Sequence, residues 1–163
     1  MTSRLALAAL LILAVPGSAS AQQPAAAAGA RDSALAVVKG LFDGMRARDT
    51  ALIRRSFAAG TMLGGVPAAG KPAEFLSLDA FIGSIAKAPA AMLLDERIYD
   101  PEIRVDGGLA TVWTFYAFYA GERLSHCGVD AFQLARTSEG WKIIALADTR
   151  QMTGCSVAGK KPA

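Results

Sequence analysis

The residues of this 163-residue chain best suited to moving protons are His126, Asp130, Asp148 and Arg150. They fall in two short segments, HCGVDAFQL at 126–134 and GWKIIALADTR at 140–150, whose other members are mostly apolar. A carboxyl held away from water is proton-hungry and can act as a general base or acid. Asp130 is the candidate for that role, with His126, the only histidine, as a second proton carrier. The same residues admit a plainer arrangement. Arg150 would neutralise Asp130 and Asp148, depress their pKa values and lock the end of a sheet. Both arrangements remain open at this level.

Positioning these groups requires strands. Leu109 to Tyr119 is rich in Thr, Val, Trp, Phe and Tyr, the composition of a strong strand. Asp106-Gly107-Gly108, Ala120-Gly121-Glu122 and Ser138-Glu139-Gly140 supply the turns of an antiparallel meander that closes with Trp141 to about Met152. An earlier strand covers Leu93 to Tyr99 and continues over Glu102 to Val105 after a kink at Pro101. Pairing Ala120 with Arg123 puts Trp113 opposite Asp130. Pairing Thr137 with Trp141 puts Asp130 opposite Asp148, Phe132 opposite Leu146 and Leu134 opposite Ile144, with Arg150 facing Gly128. One face then carries Trp113, Phe115, His126, Gly128, Asp130, Asp148 and Arg150, the expected pocket. The other carries Tyr116, Phe118, Cys127, Val129, Ala131, Ile143, Ala145 and Ala147. A slip of one residue would scatter either set.

Helices precede the meander. Leu35, Val38, Leu41, Phe42 and Met45 form an apolar stripe on a helix capped by Asp32 or Ser33 and running to about Arg48. Asp49-Thr50 opens a second helix, with Leu52, Ile53 and Phe57 apolar. Residues 58–73 read as a loop or a short strand broken by Gly64-Gly65. Ser77 or Asp79 caps a third helix that ends near Lys87, before Pro89. Helices followed by a long meander imply an α+β fold with helices on one sheet face.

Residues 1–21 read as a signal peptide: Arg4, an apolar run from Leu5 to Val15, a Pro16-Gly17 break, and Ala19-Ser20-Ala21 for cleavage. The run falls short of the roughly 20 residues that span a bilayer, and no cysteine follows to carry a lipid. No membrane anchor is therefore expected after cleavage, and the destination is periplasmic or secreted. Cleavage would leave a leader at 22–31 expected to be disordered, a domain over 32–155 and a flexible tail at 156–163. It would also leave 16 Lys and Arg against 14 Asp and Glu, with no basic stripe, so no nucleic-acid partner is expected. Cys127 and Cys155 favour a disulfide in an oxidising compartment, contributing on the order of 3 kcal/mol; two buried thiols are the alternative. His126 and Cys127 would point to opposite strand faces, and a Cys-Cys-His set lacks a fourth ligand, so no metal site is expected. The chain has no phosphate-cradling loop, nicotinamide fingerprint, nucleophile elbow or zinc-protease motif, and no cofactor is expected.

The element order, the Gly-Trp-Lys-Ile start of the closing strand, the Arg-Asp-Thr turn between the first two helices and the 126–150 segment resemble the nuclear transport factor 2-like superfamily. The exported SnoaL-like and ketosteroid isomerase-like members are the most similar. The resemblance covers roughly residues 33 to 152. It implies a cone-shaped, curved antiparallel sheet packed against about three N-terminal helices, with the cone's interior as the site. Such proteins include isomerases, dehydratases, cyclases and interaction modules, so fold does not fix function. The expected ligand is a small hydrophobic molecule bound by Trp113, Phe115, His126, Asp130, Asp148 and Arg150. A homodimer through the outer sheet face is the expected assembly.

Overall fold

The computed structural model describes residues 22–67 and 71–163. The signal peptide expected at residues 1–21 lies outside them. The first helix, α1 (Gln22–Ala47), starts well before the expected Asp32 or Ser33 cap. The stretch expected to be a disordered leader is alanine-rich, and alanine has the highest helix propensity. Ala34, Val38, Leu41, Phe42 and Met45 are buried along one stripe of α1. Helix α2 (Thr50–Ser56) is capped by Asp49, whose carboxylate accepts from the Leu52 amide at 2.8 Å. Gly44 allows the two helices to approach closely, since a Cβ there would lie 2.9 Å from Ile53. Arg48 closes the junction, donating to the Ala88 carbonyl at 2.7 Å and satisfying the end of α3 (Leu78–Lys87). Ser77 caps the start of α3.

Among the described residues six strands form one sheet: β1 (Met62–Val66), β2 (Glu74–Ser77), β3 (Leu94–Asp106), β4 (Leu109–Ala120), β5 (Arg123–Thr137) and β6 (Gly140–Thr149). Their order is β2-β1-β6-β5-β4-β3. The meander β3 to β6 is antiparallel as expected, but β1 runs parallel to β6, so the sheet is mixed. Strand β2, which the sequence reading passed over, pairs with β1 at the edge. Its Glu-Phe-Leu-Ser sequence is exposed along its length and carries no burial pattern to mark it.

Two bulges set the faces. Phe118 pairs with His126 while Tyr119 pairs with Leu124, which leaves Ser125 as an extra residue. Thr114, not Trp113, therefore faces Asp130. In the last hairpin, Arg136 pairs with Trp141 and Leu134 with Ile143, one residue out of the expected register. A bulge at Ile144 restores it, so Asp130 still meets Asp148 and Phe132 meets Leu146.

The consequences are a set of corrections. Trp113 and Phe115 lie on the outer face, away from the helices, and Tyr116, Phe118 and Ile143 lie on the inner one. Cys127, Val129, Ala131, Ala145 and Ala147 keep their outer positions. Cys127 and Cys155 form a disulfide with Cα atoms 5.5 Å apart. The tail expected to be flexible docks along β3 instead: Pro162 bridges to Tyr99, and the Ala163 amide donates to the Ile98 carbonyl. Lys160 sits over the Phe115 ring at 4.3 Å, which covers part of that exposed aromatic.

Candidate functional site

Between α1 and the concave face of the sheet lies a cavity of about 270 Å³. Leu41, Phe42 and Met45 of α1 and Phe81 of α3 form its apolar wall, and Phe75 and Leu76 of β2 stand at its edge. The sheet contributes Glu96, Tyr116, His126, Asp130, Asp148 and Arg150. Four of the six expected pocket residues, His126, Asp130, Asp148 and Arg150, thus come together. Trp113 and Phe115 do not.

Glu96 and Tyr116 are the residues that sequence reasoning missed. The Ser125 bulge places Tyr116 on the inner face, where unbroken alternation would put it on the outer one. Glu96 carried a usable signal: in Leu94-Asp95-Glu96-Arg97-Ile98, alternation places it on the face of Leu94 and Ile98, both buried. A carboxyl on that face needs an explanation.

Asp130 is 2 % exposed, and its Oδ2 is buried without a hydrogen-bond donor. The Glu96 carboxyl lies within hydrogen-bonding reach, a contact that forms only when one of the two acids carries a proton. Burial first, and then the charges of Glu96 and Asp148, push the Asp130 carboxyl well above the usual carboxylate range. Burial likewise pushes Glu96 up to about 7, with the Asp148 charge adding to it and the Asp130 hydrogen bond and Arg150 opposing it. The pair behaves as two like-charged groups in one apolar site, which cannot both ionise cheaply.

Arg150 does not neutralise this pair. Among the described residues its one ion pair is with Asp148, at a long 3.6 Å, and its side chain is largely exposed. Burial raises Asp148 despite the opposing charge of Arg150 and the Tyr116 hydrogen bond. The Tyr116 hydroxyl donates to the Thr149 carbonyl at 2.9 Å and lies 3.4 Å from Asp148 Oδ2. Burial and the three nearby carboxylates push its pKa up, so it stays a neutral donor. His126 packs its ring against Phe118 with centroids 4.9 Å apart, and its Nδ1 lies 3.1 Å from Ser125 Oγ. Burial, then Arg150, pulls its pKa down to about 4. A neutral imidazole at pH 7 can hydrogen-bond but is not a reservoir of protons.

Gly128 shapes this end of the cone. A Cβ there would overlap the Thr149 carbonyl, the group that accepts from Tyr116. Among the described residues, no group of three or more His, Cys, Asp or Glu is placed to hold a metal ion.

A second, more open groove of about 600 Å³ lies on the outer face, lined by Met62, Phe75, Trp113, Ala131 and Ala147, with Glu102 and Arg104 in its lining. It is larger than the cone but holds no buried, unpartnered polar atom.

No protein-family model matches this chain, and no curated protein matches it. Solved structures do. A nuclear transport factor 2-like protein with a cystatin-like fold from Novosphingobium aromaticivorans superposes with TM-score 0.66 at 12 % identity, covering 87 % of this chain and 96 % of its own. A protein of the nuclear transport factor 2-like family from Streptomyces avermitilis, proposed as a dehydratase, gives TM-score 0.60 at 16 % identity over 77 % of this chain and 99 % of its own. The β subunit of a proposed aromatic-ring-hydroxylating dioxygenase from N. aromaticivorans gives 0.65 at 12 % identity, covering 85 % and 99 %. At such identities the likeness is one of fold.

Proposed function

We propose, from the premise that this chain has the nuclear transport factor 2-like fold, that it is an exported domain whose cone binds a small, largely apolar molecule and moves a proton on it. The observation that carries the reading is Asp130: buried, with an unpartnered oxygen, in the same cavity wall as Glu96 and out of any ion pair with Arg150. Asp130 and Glu96 share one proton and can exchange it with a bound molecule, the chemistry of isomerases, dehydratases and cyclases. Tyr116 is committed to Thr149 and Asp148, and so orients the strand end. His126 contributes a neutral hydrogen-bonding edge. Export is supported by the N-terminal leader pattern and by the Cys127–Cys155 disulfide.

The test is deuterium exchange: small enolisable ketones are incubated with the protein in D2O and followed by NMR. Exchange above buffer is expected, and Asp130→Asn should cut it by roughly 10²–10⁴ with its melting temperature maintained. A stable Asp130→Asn variant with unchanged exchange would contradict the role given to Asp130.

The outer groove is proposed to meet a second copy of the chain. Trp113, Phe75 and Met62 are 54 %, 74 % and 51 % exposed there, and Glu102 and Arg104 lie two residues apart on the same strand. About a two-fold axis each would meet its opposite charge. Native mass spectrometry should show a dimer that Trp113→Asp converts to monomer; a wild-type monomer at tens of micromolar contradicts it.

A further inference from the structure

The cone's charges do not balance. Its lining carries four carboxyls, Glu74, Glu96, Asp130 and Asp148, against the single guanidinium of Arg150. Arg150 is engaged with Asp148, and His126 is not a cation at neutral pH. Glu96 and Asp130 are left facing each other, with one Asp130 oxygen buried and unpartnered. Between two carboxyls alone, a shared proton is what holds the acids together. A ligand that brings its own positive charge would replace that proton and give both carboxylates a charge-assisted partner in an apolar site, where such contacts are strong. The walls suit the rest of such a molecule, because Phe42, Phe75 and Phe81 offer apolar area and π-faces for a cation's flank. An organic cation fits better than a metal ion, since the acids lack a metal-ligating arrangement.

We propose that the ligand of the cone is a small organic cation, a protonated amine on an apolar body, anchored between Glu96 and Asp130. The inference rests on the reading of the cone as the binding site and names the class of molecule it takes.

Three probes share one body and differ in the charge of the head: phenethylamine, 2-phenylethanol and phenylacetate. Calorimetric titration of the chain at pH 7 and low salt should show phenethylamine binding at least about tenfold more tightly than the alcohol, with phenylacetate the weakest. Asp130→Asn and Glu96→Gln should each lower amine affinity to the level of the alcohol. Unchanged circular dichroism spectra and melting temperatures of those variants serve as the control for folding. Equal or tighter binding of the alcohol by wild type overturns the cation inference while leaving the cone as a site for neutral molecules. Amine binding that survives both substitutions overturns it as well, by placing the amine elsewhere. If none of the three binds, the inference fails, and the deuterium-exchange experiment still judges the proton-transfer reading by itself.

Discussion

Asp95 and Glu96 are neighbours on β3, and they show two opposite ways of keeping an acid in a fold. Asp95 is buried and held from two sides, by Arg46 of α1 at 2.8–2.9 Å and by Arg97 at 2.7 Å. Burial alone would raise its pKa, but the hydrogen bonds and charges of the two arginines outweigh that and hold it below the usual carboxylate range. Glu96, one residue on, points into the cone and meets Asp130 instead of a cation. Its carboxyl moves the other way. A satisfied acid fastens a helix to a sheet edge, and an unsatisfied one is available for a ligand or a proton. The distinction lies in partners: burial raises both acids, and only Asp95 has the arginines that reverse it.

The largest effect is expected at Gly128, where a Cβ would overlap the Thr149 backbone. Gly128→Ala should cost about 3 kcal/mol in denaturant unfolding, because β6 must move and the cone acids lose their enclosure. Next comes pH. Glu96 and Asp130 have raised folded-state pKa values, so their contribution to stability is full below pH 4 and is lost as pH climbs through 7. His126, depressed to about 4, works the other way, and its contribution grows from pH 4 to about 6.5 and then levels off. The two trends oppose each other below 6.5, so the net loss emerges above it. Chemical unfolding should show stability falling by on the order of 1–2 kcal/mol between pH 6.5 and 8, and Asp130→Asn should remove most of that slope.

A paired substitution reads the comparison directly. Asp95→Asn should destabilise at pH 8 by about 1 kcal/mol, a figure reduced because both arginine partners are more than a third exposed. Asp130→Asn at the same pH should be neutral or stabilising. Equal losses from both would erase the distinction. The smallest effect belongs to Arg150→Ala. Its ion pair with Asp148 is long and exposed on the arginine side, and less than about 0.5 kcal/mol should be lost. A larger loss would restore the arrangement in which Arg150 locks the carboxylates.

Much of the fold was legible because local rules and tertiary packing agree there. Asp49 and Ser77 cap the second and third helices, the glycine turns bound the meander, and Asp130 faces Asp148. That last pairing rested on a turn register off by one, which the Ile144 bulge cancels. The Ser125 bulge had no such compensation and carried Trp113 and Phe115 to the outer face. Bulges leave little trace in alternation, since each one merely reverses its phase. Strand β2 and the parallel β1–β6 pairing depend on long-range contacts with no local signature. The docked tail depends on β3 offering an edge at Ile98, Tyr99 and Asp100.

In the proposed chemistry Glu96 and Asp130 share a proton that Arg150 does not replace. Carbon-13 NMR titration of the side-chain carboxyls measures it most directly. One of the two should titrate near or above pH 7, and Asp130→Asn should remove the Asp130 titration while Glu96, raised chiefly by burial, stays above the ordinary range. Both carboxyls titrating below about 4.5 in the wild-type chain, the behaviour of an arginine-neutralised pair, would contradict it.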